Sequence, residues 1–83
     1  MMPKDAEELI KALELDKNGK WEGAHKIVQD IESKHASWIH AYLHRKEGDL
    51  SNAGYWYSRA GEQRSDLSLD EEWQHLHDVL AGQ

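Results

Sequence analysis

No cysteine occurs among the 83 residues, so neither disulfides nor thiolate zinc sites hold this fold together. Phe is absent too, and the single Pro stands at position 3, which leaves the rest of the chain free of that helix breaker. No apolar run approaches the ~18 residues that a bilayer-crossing helix needs. The opening Met1-Met2-Pro3-Lys4-Asp5 meets charge at once and lacks the apolar stretch of a signal peptide. The chain therefore reads as a cytoplasmic protein of bacterial type. Lys and Arg are missing from residues 65–83, which hold five acids, and the net charge is −6. An acidic chain without a dense basic cluster repels phosphate backbones, so nucleic acid is not an expected partner, and neither is a membrane.

A chain of this length makes one domain, with a core that only just offsets chain entropy. The material for that core is four Trp, three Tyr and the aliphatic residues.

Their spacing is helical. Ala6, Leu9, Ile10 and Leu13 follow Asp5-Ala6-Glu7-Glu8, which has the form of a capping box, and Asn18-Gly19 supplies a stop, predicting a first helix over about 5–17. Trp21, Ala24, Ile27, Val28 and Ile31 predict a second over about 20–33. Trp38, Ile39, Ala41, Tyr42 and Leu43 mark a third, from Ala36 to Glu47, closed by Gly48. Asp49 then caps a fourth carrying Leu50, Ala53, Trp56, Tyr57 and Ala60 before Gly61, and Ser65-Asp66 breaks the pattern. A second capping box, Ser68-Leu69-Asp70-Glu71, opens a last amphipathic helix with Leu69, Trp73, Leu76 and Leu80 on one stripe. Period-two alternation is nowhere sustained, so no strands are expected.

Slid against itself by 29 positions, the chain pairs Ile10 with Ile39, Ala12 with Ala41, Lys17 with Lys46, Gly19 with Gly48 and Ala24 with Ala53. Bulky apolar pairs fall between them, such as Leu13 with Tyr42 and Val28 with Tyr57. Matching turn glycines and helix boundaries point to an internal helix–turn–helix duplication.

Gly48-Asp49-Leu50-x-x-Ala53-x-x-x-Tyr57-x-x-Ala60 resembles the second half of a tetratricopeptide (TPR) repeat, with Ala41 at the small position of the preceding helix. Gly19, Trp21, Ala24 and Val28 repeat the pattern less closely, and the resemblance covers about residues 5–61. The period is shorter than the family's, the usual Pro after the second helix is missing, and His44 stands where an aromatic is customary. The stretches Trp21-Glu22-Gly23-Ala24-His25 and Ala41 to Gly48, with Tyr55-Trp56-Tyr57, are also similar to small bacterial proteins without an assigned activity. The expected architecture is thus all-α, with about five helices: two TPR-like antiparallel hairpins (5–33 and 36–61) and a C-terminal capping helix (68–81). The cluster expected to carry its stability is Trp21, Ile27, Val28, Trp56, Tyr57 and Trp73.

Catalytic motifs are few. The chain has no cysteine nucleophile, no G-x-S-x-G elbow, no Gly-rich phosphate loop and no H-E-x-x-H. The acids read as solvated faces. What the resemblance implies is a non-enzymatic interaction module that docks an extended peptide on the inner face of each hairpin's first helix. Trp38, Tyr42, Arg45 and Lys46 are the candidate contacts, since aromatic and Arg side chains anchor interfaces. Arg45 and Lys46 suit an acidic peptide or a chain terminus, and self-association is a variant of the same reading.

The competing reading rests on histidine, of which there are six. His40 and His44 lie four apart on one helix face and can share a metal ion such as zinc, with His25 as a third imidazole. No carboxylate or cysteine was expected at a spacing that completes the set, and packed or surface histidines are the plainer account. His75 and His77, two apart, diverge around their helix. A structural subunit without any ligand is the third alternative.

Overall fold

The computed structural model describes residues 4–62 and 66–82. It contains α1 (Lys4–Lys17), α2 (Trp21–Gln29), α3 (Lys34–Lys46), α4 (Leu50–Ala60) and α5 (Leu69–Ala81). There is no strand among the described residues, and the protein is all-α. The N-terminal residues read for a leader (1–3) and the expected break at Ser65 lie outside the described residues.

The turns follow from single residues. Gly19, Gly48 and Gly61 have φ of +81°, +88° and +72°, a region that costs an L side chain energy and glycine little. Ser33 caps the start of α3: its hydroxyl accepts the Ala36 N–H at 3.0 Å. That cap corrects the expected second helix, which stops at Gln29 rather than near 33, and it starts α3 at Lys34 rather than Ala36. Ile31 continues the apolar pattern because it packs against the core from outside the helix. Asp5 also differs from expectation. It stands inside the first turn of α1, where its charge favours the helix dipole, rather than in front of it as a cap. The capping box at Ser68 and Glu71 forms as expected, with both reciprocal bonds present.

The two turns related by the 29-residue offset are bonded alike, in a pattern the turn at Gly61 also follows. Lys20 N–H bonds Leu15 C=O at 2.8 Å, and 29 residues on Asp49 N–H bonds His44 C=O at 2.9 Å. Gly19 N–H to Asp16 C=O and Gly48 N–H to Arg45 C=O repeat at 3.0 and 3.1 Å. Ala12 and Ala41, and likewise Ala24 and Ala53, are fully buried where helices approach closely. α1 packs on α2 and α3 on α4, α2 bridges to α3, and α5 lies across α1 and α3.

The main core gathers Leu9, Leu13, Val28, Ile39, Leu43, Leu76 and Leu80. Each such aliphatic side chain stabilises the fold by about 1.5–3 kcal/mol on full burial, and Leu76 and Leu80 tie α5 into that interior. The expected single aromatic cluster is instead divided. Trp21, Ile27 and Trp73 ring the main core, whereas Tyr57 and Trp56 pack in a smaller cluster with Ala41 and Ala53. Indole N–H groups need acceptors, which keeps Trp at the rim. Trp21 Nε1 donates to Leu43 C=O at 2.9 Å and Trp73 Nε1 to Leu13 C=O at 2.8 Å.

Two acids contradict the reading of all acids as solvated: Asp16 is 1% exposed and Glu72 is completely buried.

Candidate functional site

The face expected to receive a peptide is already occupied by α5 and by internal pairing. Tyr42 is buried, and its hydroxyl is pushed above the usual tyrosine range by burial and by the neighbouring Asp16 carboxylate. Lys46 Nζ reaches both Asp16 oxygens at 3.1 and 3.2 Å. Arg45 donates to Glu72 Oε1 at 2.7 Å and to Leu67 C=O at 2.6 Å, and Trp38 Nε1 donates to Glu72 Oε2 at 3.2 Å. All four expected contact residues therefore hold the protein's own structure together, and an incoming peptide would have to displace α5.

Glu72 and Asp16 were the missed partners. Both fall on an apolar stripe at helical spacing, Glu72 among Leu69, Trp73 and Leu76, and Asp16 after Leu9, Ala12 and Leu13. An acid in register with a buried stripe was the available signal.

The histidines behave differently. α2 supplies His25 and α3 supplies His40 and His44, and one ring nitrogen from each lies within 4.8 Å of the other two. His25 meets His40 edge-on, with ring centroids 4.6 Å apart, and His40 stacks on His44 at 4.9 Å. Trp21 stacks on His25 at 4.9 Å from one side, and Trp56 of α4 stacks on His40 at 3.9 Å from the other. His40 and His44 are only 5% and 8% exposed. None of the three has a histidine at its repeat-related position: Gly54, Lys11 and Leu15 stand there. The cluster is therefore not repeated at the offset of 29 residues.

Glu47 lies behind His44, outside the three-histidine donor set. His44 Nδ1 lies 2.8 Å from Glu47 Oε1. A carboxylate accepts at this contact and the ring donates from Nδ1; in the tautomer with that single proton, Nε2 carries the free lone pair. The three-histidine donor set contains no carboxylate, as expected, and the spacing His-x-x-Glu is the sequence signal for the hydrogen bond behind His44. Glu47 and Asp49 also form a second donor set with His44, but the Asp49 carboxylate is committed to Asn52, at 2.8 Å to Nδ2 and 3.3 Å to the backbone N–H.

The rings of His25 and His40 make no hydrogen bond among the described residues. Burial lowers the His25 pKa, reinforced by His44 and opposed by Glu47. Burial, then His25 and His44, bring His40 down to about 4. Both rings are thus neutral at neutral pH, the form that ligates metals.

The donor set fits a borderline-soft divalent ion of the zinc type, which takes imidazole nitrogen at ~2.0–2.1 Å in tetrahedral geometry. Such geometry separates the donors by roughly 3.4 Å, so small side-chain rotations would close the cluster around an ion. His77 stacks on Trp73 at 5.1 Å and His75 meets Trp38 edge-on at 5.4 Å, so that pair diverges and stands apart.

Compared with protein-family models, curated proteins and solved structures, the chain finds no match.

Proposed function

We propose that this protein is a small helical metal-binding protein in which His25, His40 and His44 ligate a divalent transition-metal ion of the zinc class. One observation carries the reading: three imidazoles from two helices converge, and two of them make no hydrogen bond among the described residues. Glu47 orients the third, as a carboxylate commonly does behind a metal-bound histidine. The hairpin scaffold contributes rigidity. α2 and α3 are held together by the Trp21 hydrogen bond to Leu43 C=O, and Trp56 backs His40 from α4. Three protein ligands leave a fourth position open, the arrangement of catalytic rather than purely structural zinc sites.

The peptide-docking reading of Trp38, Tyr42, Arg45 and Lys46 stands behind this one, because each polar group it needs already has an internal partner. Isothermal titration of the metal-free full chain with Zn²⁺ tests the proposal. One-to-one binding that disappears in His40→Ala and in His44→Ala is expected. Binding that is absent, or that survives both substitutions, would remove the reading.

A further inference from the structure

We infer that the cleft between the end of α2, the start of α3 and α4 binds a free α-amino acid with a small apolar side chain. Glu32 stands on the connection from α2 to α3 and Arg59 in the last turn of α4, and both line this cleft. Neither forms an ion pair with the other or with any described residue. A lone surface charge is ordinarily solvated and points to no ligand. Two unpaired charges of opposite sign on one cleft suit an occupant that carries both. Ser37 adds a third group. It is 9% exposed, and its hydroxyl makes no hydrogen bond among the described residues. No fully enclosed side-chain oxygen or nitrogen among them lacks a partner, so this hydroxyl reaches the open space that Ser37 lines.

The pair of charges selects the class. The Arg59 guanidinium lies 5.3 Å from the Trp56 ring and donates one hydrogen bond, to the Tyr55 hydroxyl at 3.1 Å. Most of its five N–H donors are unused, and they form the fork that a carboxylate matches. The Glu32 carboxylate accepts no hydrogen bond among the described residues, so it can take an ammonium group. A simple carboxylate or a phosphate would set its charge against Glu32, and a simple amine would set its charge against Arg59. A zwitterion meets neither penalty. Val28, Ile31 and the Trp56 ring supply the apolar wall for an aliphatic side chain, and a volume of about 290 Å³ suits one amino acid. Glu32, Ser37 and Arg59 are not ligands in the metal-binding reading above, so the two readings stand or fall separately.

The test follows backbone and indole NMR signals of the full chain as three probes are titrated separately. L-Leucine carries both charges, 4-methylpentanoate lacks the ammonium group, and 3-methylbutylamine lacks the carboxylate. Wild type is compared with Glu32→Gln and Arg59→Gln. Both positions are exposed, so the variants keep their fold, which circular dichroism checks. The expected result in wild type is a saturable shift at Ser37 and the Trp56 indole with leucine, about tenfold tighter than with either analogue. Glu32→Gln should erase the preference of leucine over the acid, and Arg59→Gln its preference over the amine. No saturable shift with leucine, equal binding of all three probes to wild type, or preferences that survive both substitutions would each overturn the inference. Any of these results would leave the metal site untouched.

Discussion

The Tyr57 hydroxyl donates a 2.6 Å hydrogen bond to the Glu72 carboxylate, and that carboxylate has no solvent exposure. Arg45 and Trp38 complete its shell, so one acid of α5 joins α3 and α4. Removing it leaves the Arg45 charge uncompensated in a largely closed site. Glu72→Ala is expected to lower stability by about 3 kcal/mol or more, read from urea unfolding. Glu72→Gln, which keeps acceptor and volume, should cost less.

Tyr42 and Tyr57 set the alkaline limit. Burial raises both hydroxyls above the ordinary value of 10.0, aided by Asp16 at Tyr42 and by the Glu72 hydrogen bond at Tyr57. A raised native pKa means that above pH 10 the folded state holds protons the unfolded chain has released. The contribution is therefore complete below pH 10 and is lost as pH rises further. Phenolate absorbance at 295 nm from these two residues should appear only together with loss of helical circular dichroism. Phenolate formation with the helices intact would contradict the burial.

Trp73 anchors the N-terminal half of α5 to α1. Its indole donates to Leu13 C=O, Lys17 Nζ lies 4.6 Å from the ring, and the side chain is half-buried at the rim of the core. Trp73→Ala loses both the packing and the hydrogen bond, so a destabilisation of about 2–3 kcal/mol is expected by thermal or urea unfolding. An unchanged melting temperature would mean that α5 is held by Glu72, Leu76 and Leu80 without help from Trp73.

Glu47 discriminates a metal-site role from a surface contact. If it orients His44, Glu47→Gln should weaken Zn²⁺ binding about tenfold to a hundredfold. Its own exposure predicts little change in melting temperature of the metal-free protein. Unaltered affinity would show that the His44–Glu47 contact serves the helix end only.

Much of the fold was legible because it rests on local rules. Glycines at 19, 48 and 61, the cap at Ser68 and the apolar stripes each specify structure within a few residues. The boundary at Ser33 was blurred because Ile31 keeps the helical rhythm after the helix has ended. The covering of the expected recognition face has a tertiary cause. Trp38, Tyr42 and Arg45 share a helix face in the sequence, but nothing local tells whether a partner or α5 covers it. The buried acids were hidden by the same logic, since only the pairing of Glu72 with Arg45 and of Asp16 with Lys46 makes their burial tolerable. At the histidines, the four-residue spacing of His40 and His44 was readable. The approach of His25 depends on how α2 packs on α3, which no spacing encodes.

The central claim is that His25, His40 and His44 act together on a metal ion. Nitrogen-15 NMR of the imidazole rings tests it most directly, with the metal-free full chain titrated by Zn²⁺ near pH 7. The prediction is a stoichiometric shift confined to the rings of His25, His40 and His44, with those of His35, His75 and His77 unmoved. Shifts that are weak, non-saturating or spread over all six rings would contradict it and leave the cluster as aromatic packing between α2, α3 and Trp56.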